Sequence, residues 1–324
     1  MAHLLDMSNG RANMAFVGKE LPWHGLGSSL PQNAPLEIWL KEAGMLWEAK
    51  KTKQMFRDED GTIHYGDDNI LYRSDTKAQL GTCSDRYQIV QPGEVMDFYR
   101  DLVDLQGFTI ETAGCLDGGK RLWALAKTDG EIAVGGTVDR MNTYLMLATS
   151  FDGSMATIGK FTSIRVVCQN TLSMSLGDGA AKIAVPHSTS FDARKMKEQL
   201  GIYEAATNQM QEQVDILAKR KMSDAEAMRF IMDVLAGKDV KAEELSTRNS
   251  NIIQSVFGLY KGAGMGSSLP VANGTAWGAL NAITENIDHH INCRDNNNRI
   301  KSAWFGKGDE LKTNAFKQAL ALAA

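Results

Sequence analysis

Asp-Gly pairs are confined to one part of this chain. Glycine takes positive φ without a steric penalty and aspartate tolerates it, so the pair favours tight hairpin turns. It occurs at Asp60-Gly61, Asp117-Gly118, Asp129-Gly130, Asp152-Gly153 and Asp178-Gly179, and nowhere beyond. The first part should therefore be rich in hairpins, and the remainder should not. One predicted hairpin runs from Phe108 through Cys115, turns at 117–120, and returns along Arg121 to Lys127. A second runs from Thr143 to Ser150, turns at Asp152-Gly153, and continues to about Lys160. A separate β-branched strand is expected from Ile164 to Cys168, and an earlier sheet over 47–56, 70–74 and 87–90.

Two helices should interrupt these strands. Leu36, Trp39, Leu40 and Ala43 follow the helical period, with Asn33 as the expected cap and Gly44 as the stop. Val95, Tyr99, Leu102 and Val103 form the second stripe, after Pro92.

From about residue 189 the period changes. Thr189-x-x-Asp192 reads as a capping box. Met196, Leu200, Tyr203, Met210, Val214 and Leu217 then recur at heptad spacing, with Thr207 in the one gap. A helix of about 28 residues, ~42 Å long at 1.5 Å per residue, is implied. Its seam must pack on other helices or on another subunit. Ser223-x-x-Glu226 caps the next helix, two more are expected near 247–260 and 275–290, and a last one starts near Asp309. The fold class is α+β, with a sheet domain over 1–188 and a helical domain over 189–324. A length of 324 residues fits about two domains.

Composition excludes more than it assigns. The net charge of −4 and 43% hydrophobic residues exclude a disordered tail, a collagen-like fibre and a strongly basic histone-like binder. The charge is about −5 up to residue 190 and about +1 beyond it, so neither part carries the excess expected of a dedicated DNA-binding domain. The start shows no basic region followed by an apolar one, and no apolar run approaches the ~20 residues of a membrane span. Cys83, Cys115, Cys168 and Cys293 form no Cys-x-x-Cys pair, which suits structural thiols in a reducing cytoplasm.

Motif chemistry is sparse. Gly25-Leu-Gly-Ser-Ser-Leu-Pro31 and Gly264-Met-Gly-Ser-Ser-Leu-Pro270 match at six of seven positions. Both could offer backbone N–H groups to an anion, but neither is a P-loop or a dinucleotide fingerprint. Flexible loops with a chance likeness explain them. Glu285 and His289 are four apart on a predicted helix beside Asp288 and His290. Such a pair could bind a metal or act as acid and base, and equally serves as a surface ion pair. No cofactor is expected.

Basic residues cluster more than the net charge suggests. Lys50, Lys51, Lys53 and Arg57 crowd one predicted strand, Lys120 and Arg121 sit at a hairpin tip, and Lys160 and Arg165 fall near the next strands. Tyr144 adds a ring. A groove lined by these groups could follow a phosphate backbone while rings stack on bases. Solvated sheet faces and edge lysines produce the same pattern without a ligand.

Several stretches run in order along the chain: Trp23-His-Gly-Leu-Gly27, Tyr72-Arg-Ser-Asp75, Tyr87-Gln-Ile-Val-Gln91 and Ala113-Gly-Cys-Leu-Asp-Gly-Gly-Lys-Arg-Leu-Trp-Ala-Leu-Ala-Lys127. Arg165-Val-Val-Cys-Gln-Asn-Thr-Leu172, Gly274-Thr-Ala-Trp-Gly-Ala-Leu-Asn-Ala-Ile-Thr-Glu285 and Ser302-Ala-Trp-Phe-Gly306 follow. Together they resemble the phage/plasmid-like protein family also known as domain of unknown function 932. The resemblance implies a protein of mobile DNA in a bacterial cytoplasm, and carries no catalytic residues with it. The order helix–hairpin–strand–helix is also similar to single-strand annealing proteins of the Rad-fifty-two type, which form rings and hold single strands in a basic groove.

The leading expectation is a non-enzymatic homo-oligomer that binds single-stranded nucleic acid through Lys51, Lys53, Lys120, Arg121, Tyr144, Lys160 and Arg165, without a membrane. One alternative is a factor that masks a host or phage protein in defence or antirestriction. The other is a metal-dependent enzyme using Glu285, Asp288 and His289.

Overall fold

The computed structural model describes residues 6–7, 10–18, 26–106, 108–165, 167, 170–176, 179–180, 182–192, 203–238, 240–291 and 296–324. The fold is α+β. Its residues form two compact units: Met1–Asp129 with Tyr144–Lys160 and Lys182–Gly201, and Gly130–Thr143 with Phe161–Ala181 and Ile202–Ala324.

In the first unit, β1 (Met14–Val17) pairs in parallel with β2 (Ser28–Leu30) and antiparallel with β6 (Thr109–Leu116). The sheet continues through β7 (Arg121–Ala133), β8 (Arg140–Ser150) and β9 (Thr157–Arg165), whose residues 130–133, 140–143 and 161–165 belong to the second unit, and β10 (Lys182–Val185) pairs with β9. The predicted hairpin turn is present as a 3-10 turn at Asp117–Gly119, and Leu116 pairs with Arg121 across it. Gly114 lies opposite Trp123, and a Cβ there would sit 2.4 Å from the indole. Glycine at 114 is what lets the ring lie across the neighbouring strand.

A second sheet orders β3 (Ala49–Arg57), β4 (Ile63–Arg73) and β5 (Gln79–Cys83). β5 was not expected, and the strand predicted over 87–90 is irregular chain. Helix α1 (Leu36–Glu42) stops at Gly44 as expected, but its N-cap is Pro35, and Asn33 instead takes a positive φ of 66° in the preceding turn. Helix α2 (Pro92–Gln106) buries Val95, Met96, Phe98 and Tyr99. Its Tyr99 hydroxyl donates to the Ala124 carbonyl at 2.8 Å and accepts from the Leu147 N–H at 2.7 Å. That ties the helix to two strands, and full burial raises the phenol's pKa well above its usual value.

Arg73 is the polar centre of this unit and is fully buried. It donates to both oxygens of Asp75 (2.9 and 2.8 Å), to Asp6 and to the Gly118 carbonyl at 3.1 Å. Its guanidinium lies 4.6 Å from the Trp47 ring centroid. Hydrogen bonds from Arg73 hold the Asp75 carboxyl below the usual range, against the opposing effect of burial.

In the second unit, α3 (Tyr203–Lys219), α4 (Asp224–Ala236), α5 (Thr247–Gly258), α6 (Ala276–Glu285), α7 (Asn296–Phe305) and α8 (Lys307–Ala323) pack together. Every residue of α6 is buried. The seam is present where described: Met210, Val214 and Leu217 are all buried. The expected start of that helix, with Met196 and Leu200, lies outside the described residues. Ser223 and Glu226 form the capping box of α4 reciprocally, as their spacing requires. Helix α7 was not anticipated. The strand expected from Ile164 is instead the end of β9, and Cys168 lies outside the described residues.

A second buried guanidinium organises this unit. Arg165 donates to Asp139 through Nε (2.8 and 3.0 Å) and Nη2 (2.6 Å), and Trp277 Nε1 donates to the same carboxylate at 3.2 Å. The two charged side chains are 1% and 0% exposed. Removing one partner strands the other charge in the interior, a cost of about 3–5 kcal/mol. Asp139→Ala should therefore lose about that much stability in urea denaturation, and the paired change Asp139→Leu with Arg165→Met should lose clearly less. Equal losses would show that the ion pair is not what holds this interior.

Candidate functional site

The seven residues expected to contact nucleic acid divide sharply by environment. Arg165 is spent on Asp139. Arg121 is 5% exposed: it donates to Asp117 at 2.5 Å, to Asp152 at 2.9 Å and to the Ser154 hydroxyl at 2.7 Å. Burial alone would raise the Asp152 carboxyl's pKa, but the Ser154 hydrogen bonds and the Arg121 charge outweigh it and lower the value. Tyr144 and Lys160 are also buried. Four of the seven are thus buried in this structure, where the sequence reading expected exposed contacts. Tyr144, Lys160 and Arg165 lie on strands that are covered on both faces along most of their length. Lys120 is half-exposed at the β6–β7 turn.

Lys51 and Lys53 stand two apart on β3 and reach the same segment. Lys51 Nζ donates to the carbonyls of Asp85 (3.1 Å) and Tyr87 (2.9 Å), and Lys53 pairs with the Asp85 carboxylate at 3.0 Å. Asn69 donates to Asp85 at 2.7 Å. These bonds clamp the chain after β5 onto the sheet. The clamp continues to Tyr87, whose ring stacks on His187 (4.4 Å, 18°) and whose hydroxyl donates to the Ser150 carbonyl at 2.7 Å. The two nitrogens of His187 lie 3.2 Å from the carbonyl oxygens of Gln88 and Met155.

The most exposed apolar surface of the first unit lies beyond that clamp. β5 pairs with β4 only over Asn69, Ile70, Leu71 and Tyr72. The rest of β3 and β4 projects as a two-stranded arm, with Met55 opposite Tyr65, Phe56 opposite His64 and Arg57 opposite Ile63. Met55, Phe56, Ile63 and Tyr65 are 55%, 56%, 48% and 73% exposed. Phe56 stacks on His64 (5.3 Å, 21°). Asp58 closes the tip: it accepts from His64 at 2.6 Å and from the Thr62 N–H at 2.8 Å, and the His64 bond foremost lowers its pKa. Among the described residues no ion pair engages Arg57 or the exposed Arg86. Sequence reasoning missed these rings because they follow the same alternation as buried strand residues. The available signal was the acidic tip 58–60, which no buried hairpin would carry.

The metal and phosphate readings fare differently from expectation. After α6 the chain makes a π turn at Asn286–His290. The extra residue per turn brings His290, five positions on, to Glu285 at 3.3 Å in place of His289 at four. Glu285 also accepts from the Met265 N–H at 2.9 Å. The anion that meets the Gly264–Pro270 loop is thus the protein's own carboxylate. Asp288 points elsewhere, accepting from the Thr171 N–H (2.8 Å) and from Lys312 (2.6 Å). In the other glycine motif, Ser28–Leu30 is strand β2, not a loop before a helix.

A family model described as a domain of unknown function (DUF932) matches residues 79–304, more than two thirds of the chain. The match opens at the first residue of β5, so β3 and β4 precede it. No curated protein matches, and no solved structure matches. Among the described residues, no helix is long and apolar enough to cross a membrane.

Burial holds the His187 pKa below its ordinary value, against the two carbonyl contacts that raise it. A depressed histidine contributes stability while neutral, above the unfolded value near 6.5, and loses it as pH falls through the folded value. The thermal midpoint should fall between pH 7 and about pH 5 more steeply for the wild type than for His187→Gln. Parallel profiles would remove His187 as a source of acid sensitivity.

Proposed function

From the premise that this chain belongs to the family described as a domain of unknown function (DUF932), we propose that it is a non-catalytic protein of mobile DNA that holds single-stranded nucleic acid on the β3–β4 arm. The observation that carries this reading is the exposure of rings and cations on that arm, with Phe56 beside His64 on one face and Tyr65 beside Met55 on the other. Phe56 and Tyr65 are more than half exposed, which is unusual for large aromatic side chains in a monomer and marks interaction surfaces. Every base has a π face, so stacking on such rings is tolerant of sequence, and neighbouring cations follow the backbone. Lys50 and Arg57 stand on the same strand as Phe56, and Arg86 is exposed in the clamped segment.

The contact set differs from the one the sequence suggested. Phe56, Tyr65, Lys50, Arg57 and Arg86 take the place of Arg121, Tyr144, Lys160 and Arg165, while Lys51 and Lys53 position the clamp. The mobile-DNA part rests on the resemblance to phage and plasmid proteins alone. Acids at 58–60, 67 and 68 limit how many phosphates the arm neutralises, so affinity should be modest and contacts few.

Fluorescence anisotropy with a labelled oligothymidylate tests the reading. Binding should appear at low salt and weaken with a log–log slope of about −0.7 per phosphate contact. Phe56→Ala with Tyr65→Ala should weaken it at least tenfold, since stacking contributes about 1–3 kcal/mol per base. No binding at low salt would overturn the proposal, and unchanged binding by the double variant would overturn the site.

A further inference from the structure

The arm has two open strand edges, and they differ in charge. β3 is an outer strand of its sheet. Near its start the edge is closed by Gln91, whose side-chain amide exchanges hydrogen bonds with the Ala49 backbone (2.9 and 3.0 Å). Beyond that point no strand covers it among the described residues. β4 is covered by β5 only over Asn69, Ile70, Leu71 and Tyr72, and among the described residues no strand pairs with its outer edge over 63–68. Unpaired N–H and C=O groups along such edges are templates for another strand, and proteins ordinarily guard them with charge. Here the guards have opposite sign. The β3 edge carries the exposed Lys50 and Arg57, while Lys51 and Lys53 are held by the segment at Asp85 and Tyr87, and the open stretch of β4 carries Asp67 and Asp68, both exposed.

Like edges repel: β3 against β3 sets cation on cation, and the open part of β4 against itself sets acid on acid. Unlike edges attract. The six open residues of β4 span at most about 20 Å at ~3.3 Å per residue, and the register shift opposite Gln54 places Asp67 and Asp68 in a bulge of that edge. Such a junction would bring the exposed side chains of Met55, Phe56, Ile63 and Tyr65 next to a neighbouring arm. We propose that a second copy of this chain is the partner, docking its β3 edge on the open β4 edge of the first. The contact is head-to-tail and not self-complementary, so it generates rings or open filaments instead of closed two-fold dimers. It stands independently of nucleic-acid binding.

Sedimentation of nuclease-treated protein across concentration and salt tests it. The wild type should assemble beyond a dimer at low salt and dissociate as salt rises. Lys50→Glu with Arg57→Glu should be monomeric, because both edges are then acidic. Asp67→Lys with Asp68→Lys should be monomeric, because both are then basic. Mixing the two variants should restore assembly. All four positions are exposed, and circular dichroism confirms that the variants remain folded. A wild type that stays monomeric throughout, variants that assemble like the wild type, or a mixture that fails to co-assemble would each overturn the proposal.

Discussion

A guanidinium taken out of water must be met by carboxylates, and that requirement decides which basic groups of this protein remain for anything else. Arg73 draws in Asp6 and Asp75, Arg121 draws in Asp117 and Asp152, and Arg165 draws in Asp139. Arg73 and Arg165 also lie against an indole, of Trp47 and Trp277. Arg suits these positions because its planar fork satisfies two acceptor oxygens at once. Lys312 does the same work as a point charge between Asp288 and Thr171. Four of the chain's most conspicuous cations are therefore interior structure, and the near-neutral net charge reflects that internal pairing.

The same interactions explain what the family-like motifs are made of. Tyr72-Arg-Ser-Asp75 supplies both halves of an ion pair. Arg165-Val-Val-Cys-Gln-Asn-Thr-Leu172 supplies Arg165, Asn170 and Thr171, whose partners include Trp277, Asn281 and Asp288. Trp277 and Asn281 both come from the stretch at 274–285. Gly114 and Trp123 make the close strand approach in a third motif. The residues of these stretches thus contribute interior contacts of the fold.

What the sequence disclosed was local. The Asp-Gly turn at 117–118, the glycine stop of α1 and the Ser223 capping box depend on backbone conformation within a few residues, and all are present. What it withheld depends on the third dimension. Alternation along β8 and β9 could not say that both faces of these strands would be covered around Tyr144, Lys160 and Arg165. Helical spacing could not foresee the π turn that exchanges His289 for His290 beside Glu285. β5 escaped notice because Gln79–Cys83 is short and carries a glycine at its centre. Nor could the exposure of Phe56 and Tyr65 be read, since it arises from β5 ending before it reaches the arm.

Among the surfaces left once the interior has claimed its cations is an arm of exposed rings with cations on one strand and acids at its tip and on the other. Ultraviolet cross-linking of a bromodeoxyuridine oligonucleotide, with the attached peptides identified by mass spectrometry, asks directly whether that surface is the working one. The account requires cross-links at Phe56 or Tyr65. Cross-links confined to the stretch from Lys120 to Arg165 would contradict it, because they would mean that the interior ion pairs open to admit a ligand.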